Sequence, residues 1–256
     1  MKKNFSIMSL FIVFLIIGLA VFGVIEYFKV REAAQEAETQ KLVNRFYRLP
    51  VKGYPSFISP YWTSRSTEVF EEAPIQIVVY MDFLCPDCLF LEQQLRQLKK
   101  EFAGKMNIAF QFFPLDGECN HVVDKDLHPG ACELSYYAAA DPNHFLTVHN
   151  EIFDQLEKAR TSAEWRRDLA QKYGVYELAQ DPSVRELVNR IIETGREYEK
   201  TSEKYEHGIR STPTMIINGR MVIGTFPYEQ MEALFQALVD EHEEKRDFIE
   251  NWMPRK

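Results

Sequence analysis

The sequence predicts an α/β domain. A strand–helix–strand unit and a strand–strand–helix unit share one small sheet, a helical insertion separates them, and an apolar helix precedes them. Three observations carry this. The β-branched run Ile75 to Met81 leads directly into a Cys-x-x-Cys and then into a helical pattern. Asn218-Gly219, a hairpin signal, separates two short apolar runs near the carboxy terminus. The stretch between, from about 130 to 207, is helical by pattern.

The amino terminus comes first. Lys2 and Lys3 precede an uncharged apolar run of 21 residues, Phe5 to Ile25. As a helix it would span roughly 30 Å, the hydrocarbon thickness of a bilayer. A cleaved signal has a shorter apolar region and a small-x-small cleavage site, which Ala20-Val21-Phe22 does not fit. The expectation is an uncleaved single transmembrane anchor over 5–25, in preference to a removed signal; either sends the rest across the membrane. The two lysines put residues 1–4 in the cytoplasm, although Lys29 and Arg31 on the far side pull the other way. Glu26 to Arg48 is polar and helix-prone and reads as a stalk, with heptads too irregular for a coiled coil. Pro50, Gly53, Pro55 and Pro60 mark a linker. The division is therefore 26–59 stalk and linker, 60–245 folded domain, 246–256 tail.

Within the domain, Ile75 to Met81 suits a central buried strand. From Leu89 the apolar residues Leu91, Leu95 and Leu98 recur at helical spacing, and Gly104 is a stop. Met106 to Phe113 is the next strand. In the insertion, Asp181-Pro182 is an N-cap followed by proline at the first helical position, and Val184, Leu187, Val188, Ile191 and Ile192 form one apolar face. Thr214 to Ile217 and Met221 to Ile223 flank the Asn-Gly turn. Pro227 to Val239 is the last helix, with the residues after Asp240 continuing it.

Composition narrows the function. The chain has 256 residues, 46% of them hydrophobic and 27% charged, enough for a substantial core. Its net charge of −8, with no basic stripe, disfavours nucleic-acid binding. The four cysteines, Cys85, Cys88, Cys119 and Cys132, are too few for a stapled scaffold but suit an oxidising compartment.

A Cys-x-x-Cys at a helix start has a chemical logic. Unpaired N–H groups and partial positive charge there favour a thiolate at the first cysteine. The second, one turn inside, can attack a mixed disulfide and release the partner. Cys85 is thus the expected attacking thiol and Cys88 the resolving one. Pro86 suits the first turn, where its missing N–H costs little. Asp87 opposes the helix field and should make the pair less oxidising than the strongest thiol oxidases. A zinc half-site is the competing reading, but no second Cys-x-x-Cys or His pair follows at the usual spacing.

Asp82-Phe83-Leu84-Cys85-Pro86-Asp87-Cys88 resembles the D-F-x-C-P-x-C of DsbA-like thioredoxin-fold proteins, and Gly208 to Gly219 resembles their G-x-x-x-T-P-T-x-x-x-N-G. The resemblance covers residues 70 to 240. It implies a thioredoxin fold with a helical insertion and a cis Pro213 beside the cysteines. It also implies that the main chain of Thr212 pairs with substrate polypeptide. Thioredoxins proper carry a buried acid six residues before the first cysteine; here that position is Val79. Asp82 is the nearby acid, with proton handling or an amino-terminal turn as its roles.

Phe113 to Asn120 and His128 to Cys132 are similar to a P-L-D-x-x-C-N…H-P-x-A-C pattern of thioredoxin-like domains that work beside vitamin K epoxide reductase-type membrane proteins. A structural Cys119–Cys132 disulfide, closing a loop of about 14 residues, would stabilise by about 3 kcal/mol. A second redox relay, or a metal site of Cys119, His121, His128 and Cys132, are the alternatives. The other histidines are scattered.

The expectation is a membrane-anchored, extracytoplasmic thiol–disulfide oxidoreductase without a cofactor or a resident metal. It would act on protein thiols or disulfides, with a membrane redox partner of vitamin K epoxide reductase or DsbB type. The resemblance favours an oxidase; Asp87 and Thr212 lean towards a reductase or isomerase. Two other classes compete: a thiol-based metal carrier, for which only Met81 lies near the quartet, and a client-binding chaperone module.

Overall fold

The seven residues Ile75–Met81 form the central strand, β2, with all but Gln76 buried. This computed structural model describes residues 7–123, 125–198 and 208–244. β2 runs parallel to β3 (Met106–Phe112), from Ile75 opposite Met106 to Met81 opposite Phe112. On its other side it pairs antiparallel with β4 (Thr214–Ile217), which pairs antiparallel with β5 (Arg220–Ile223). The helix α2 (Pro86–Glu101) joins β2 to β3, and its Leu91, Leu95 and Leu98 are buried, as their spacing requires.

The β4–β5 turn forms because Asn218 and Gly219 take φ values of 43° and 75°. Both must be positive in this type of hairpin turn, and asparagine and glycine tolerate that best. Asn218 also fixes the register: its Oδ1 accepts from the Gln76 N–H at 3.0 Å and its Nδ2 donates to the Pro74 carbonyl at 2.9 Å.

The insertion comprises α3 (Ala131–Ala139), α4 (Phe145–Asp154), α5 (Leu156–Thr161), α6 (Ala163–Lys172) and α7 (Pro182–Glu197). Asp181 caps α7, accepting from the Ser183 N–H at 2.8 Å. The final helix, α8 (Tyr228–Glu244), runs on past Val239, where the apolar pattern ends.

Two features differ from the sequence reading. A fifth strand, β1 (Trp62–Ser64), pairs antiparallel with β3 at the sheet edge, giving the order β1-β3-β2-β4-β5. It is three residues long and its register shifts, so it leaves no alternation to detect.

The second difference is at the amino terminus. The apolar run and the polar segment form one helix, α1 (Ile7–Tyr47), about 60 Å long. The last turns of this stalk helix pack into the domain rather than standing before residue 60. Val43, Phe46 and Tyr47 are buried in the core cluster, and the Tyr47 hydroxyl donates to Glu241 of α8 at 2.8 Å. The linker after it is strapped down as well, with Lys52 N–H donating to the Gly219 carbonyl at 2.9 Å and the Tyr198 hydroxyl to the Gly53 carbonyl at 2.7 Å.

Among the described residues no helix is long and apolar enough to cross a membrane. The run from Phe5 begins before the first of them. Residues 1–4, the end of the insertion at 199–207 and the tail at 246–256 also lie outside the described residues.

Candidate active site

Immediately after β2, Asp82 turns the chain. Its Oδ1 accepts from the Leu84 N–H at 2.6 Å and its carbonyl from the Cys85 N–H at 3.2 Å, the side-chain-assisted turn that aspartate favours. Phe83 anchors this turn by stacking on Phe110 of β3 at 5.1 Å between ring centroids.

Cys85 is the N-cap of α2, in extended conformation, and its carbonyl accepts from the N–H groups of Cys88 and Leu89 at 3.1 and 3.2 Å. Pro86 and Asp87 occupy the exposed first turn.

Both cysteines of the quartet are free thiols, Cys85 5% exposed and Cys88 wholly buried. They are not equivalent. The hydrogen bond from Cys88 holds the Cys85 thiol down at about 6, with help from the Cys88 N–H and against the effect of burial. Burial pushes the Cys88 thiol well up, and its hydrogen bond to Cys85 adds to this. Cys88 Sγ also accepts from the Asp82 N–H at 3.4 Å. The arrangement therefore presents one thiolate near the surface and one protonated thiol behind it, the division of labour that thiol exchange needs.

Beside Cys85, the Thr212–Pro213 peptide is cis, and Cys85 Sγ lies 3.6 Å from the Thr212 carbonyl oxygen. The Pro213 carbonyl accepts from Gly224 N–H at 2.8 Å, fixing this segment to the end of β5. The structure thus brings together Cys85, Cys88, Thr212 and Pro213, from segments separated by most of the domain.

Cys119 and Cys132 are joined in a disulfide with their Cα atoms 5.9 Å apart. The metal reading of Cys119, His121, His128 and Cys132 fails on this, because two of the four sulfur and nitrogen donors are bonded to each other. His121 instead pairs with Glu193 at 2.8 Å. Among the described residues no group of three or more His, Cys, Asp or Glu side chains could hold a metal ion. The loop closed by the disulfide is further tied by Asp116, whose Oδ2 accepts from the N–H groups of Gly130 and Cys132 at 2.9 and 3.2 Å.

Asp82, expected to handle protons or to form the amino-terminal turn, has a partner that the sequence does not show, His128. Asp82 is 1% exposed, and its Oδ2 accepts from the Leu115 N–H at 2.6 Å and faces His128 Nδ1 at 2.9 Å. The hydrogen bond to Asp82 raises the His128 pKa above its ordinary value, against the effect of burial. Asp82 and His128 are 46 positions apart, and no local pattern links them. Val79, where a thioredoxin acid would stand, is buried opposite Met215 of β4.

Residues 70–237 match a family model described as thioredoxin. The chain is 25% identical over 233 residues to a probable disulfide bond formation protein D of Bacillus anthracis, covering 86% of this chain and 92% of that one. A protein of the same name from Bacillus cereus is 30% identical over 168 residues, covering 64% of each. The fold is similar to that of BdbD from Bacillus subtilis in its oxidised form, with a TM-score of 0.54 at 17% identity, covering 74% of this chain and 98% of that one.

Proposed function

Because the chain belongs to the thioredoxin family, as a DsbA-like thiol–disulfide oxidoreductase, we propose that it exchanges disulfides with cysteine-containing proteins outside the cytoplasm through Cys85 and Cys88. The observation that carries the proposal is the split between the two thiols, Cys85 lowered to about 6 and Cys88 raised by burial. Cys85 forms and breaks the mixed disulfide with the client; Cys88 resolves it. The main chain of Thr212, beside Cys85 Sγ, aligns the client strand, and Pro213 holds that segment in place. Pro86 starts the helix, and Asp87 tempers the thiolate.

The physiological direction we favour is oxidation of client thiols, with re-oxidation by a membrane partner of vitamin K epoxide reductase or DsbB type. The name shared by the two Bacillus relatives, disulfide bond formation protein D, supports this direction. Cys119–Cys132 serves as a structural staple for the loop beside the site. The amino-terminal part of α1 is the membrane anchor. Phe14, Leu15, Ile16 and Ile17, successive residues covering every face of the helix, are all more than half exposed, which suits lipid contact.

The test is the reduction potential of the Cys85–Cys88 pair, measured with oxidation of a dithiol peptide by the disulfide form. The oxidase reading expects a potential nearer the about −120 mV of strong thiol oxidases than the about −270 mV of thioredoxins. A potential at the thioredoxin end, with no peptide oxidation, contradicts it and favours the reductase reading.

A further inference from the structure

We propose that His128, held against Asp82 by the disulfide-closed loop, is the proton port of the thiol pair: through Asp82 it takes up and returns the proton that Cys88 loses and regains in each exchange.

The need for a port follows from burial. Cys88 has no exposed surface, yet only its thiolate can attack a mixed disulfide. Its proton must therefore leave through protein. The Asp82 N–H donates to Cys88 Sγ at 3.4 Å, which places this residue beside the thiol, and the charge of its carboxylate bears on that thiol and favours the protonated form. The Asp82 carboxylate is itself sealed, with the Leu84 N–H, the Leu115 N–H and His128 Nδ1 as its hydrogen-bond partners. Of these only the imidazole titrates, and its side chain is 13% exposed against 0% for that of Asp82. His128 is thus the point where this buried network meets water.

The loop holds the imidazole in place independently of its ring. Its own N–H donates to the Leu115 carbonyl at 3.0 Å, and its carbonyl accepts from the Ala131 N–H at 3.0 Å. The Cys119–Cys132 bond and the Asp116 contacts close the loop on either side. The charged groups that bear on His128 are Asp82 and Cys85 from the active-site turn and Arg160 from α5. The first two favour the imidazolium and Arg160 opposes it.

In the mixed disulfide, Cys88 gives its proton to the Asp82–His128 pair, and the thiolate attacks Cys85 Sγ. The Cys85–Cys88 bond forms, the bond from Cys85 to the client sulfur breaks, and that sulfur leaves with the electron pair. The enzyme pair is oxidised and the client reduced. In the reverse direction the client thiolate attacks Cys85, Cys88 leaves as a thiolate, and the same pair returns the proton. His128 acts through Asp82 and does not touch the sulfurs.

The proposal rests on the thiol-exchange reading, and the experiment separates the two. The reduced protein is mixed with Ellman's reagent in a stopped-flow instrument. Attack by Cys85 releases one thionitrobenzoate, and resolution by Cys88 releases a second in a later phase. His128→Gln keeps an N–H donor for Asp82 but cannot titrate. It is expected to slow the second phase at neutral pH by about 10-fold or more; groups acting directly on the reacting atoms contribute about 100-fold upward. The variant should also lose the imidazole inflection from the pH profile of that phase. Added imidazole should restore the rate of a His128→Ala variant. An unchanged profile in His128→Gln overturns the proposal. So does a loss that is uniform across pH and not rescued by imidazole, which is the mark of a structural role. A wild type without a second phase removes the thiol-exchange reading itself, and this proposal with it.

Discussion

Cys85 Sγ meets the main-chain oxygen of Thr212 at 3.6 Å, although the two residues are 127 positions apart. The sheet explains the meeting. Tyr80 of β2 pairs with Thr214 of β4 in antiparallel register, so the residues just after β2 and those just before β4 emerge at the same end. The sulfur proposed to attack and the segment proposed to align its client are thus brought together by strand pairing.

The lowered Cys85 thiol sets a pH dependence. Its folded value of about 6 lies below the ordinary 9.0, so ionisation stabilises the reduced folded state. That contribution is complete above pH 9 and is lost as the pH falls through 6. Thiolate absorbance at 240 nm should rise with a midpoint near 6. In urea unfolding, the stability advantage of the reduced protein over Cys85→Ser should grow between those two pH values.

Replacing Asp87 with histidine removes an acid from the first turn of α2 and adds a group that can carry positive charge. Both changes favour the Cys85 thiolate. Asp87→His should therefore be more oxidising, by roughly 30 mV for each 1.4 kcal/mol of thiolate stabilisation. Equilibration with a glutathione buffer reads this directly, and a shift towards a more reducing potential contradicts it.

Removing the Cys119–Cys132 bond tests its role as a staple. The double alanine variant should lose about 3 kcal/mol of stability in denaturant unfolding, the loop-closure contribution, with the Cys85–Cys88 potential little altered. If both pairs titrate at one potential in the wild type, the second pair is a relay instead.

The docking of α1 on α8 can be tested at Phe46, which is 1% exposed and has the Arg220 guanidinium 5.4 Å from its ring centre. Phe46→Ala should cost about 3 kcal/mol, the lower end for buried phenylalanine truncations. A thermal midpoint unchanged from wild type would show that these turns are dispensable to the domain.

What could be read in the sequence follows a physical division. β2, the cysteine turn, α2, β3 and the Asn218-Gly219 hairpin are specified by local patterns: a β-branched run, a helical leucine spacing, two residues that tolerate positive φ. They lie where those patterns place them. Pro213 and the Cys119–Cys132 pairing came from motif resemblance, and the structure has the cis bond and the disulfide. Three features leave no local mark. The edge strand Trp62–Ser64 is too short for periodicity. Val43, Phe46 and Tyr47 lie in the charged part of α1, and elements far along the chain, α8 and Arg220 of β5, pack against this end of the helix. His128 stands in a loop whose sequence says nothing of Asp82.

The most direct test of the account is to trap its intermediate. A Cys88→Ala variant of the full chain, expressed in its natural compartment and isolated under acid quench, cannot resolve a mixed disulfide. Mass spectrometry should find client proteins joined through Cys85, and a Cys85→Ala variant should carry none through Cys88, which is wholly buried. Absence of any adduct at Cys85, or adducts through Cys88 in its place, would contradict the account.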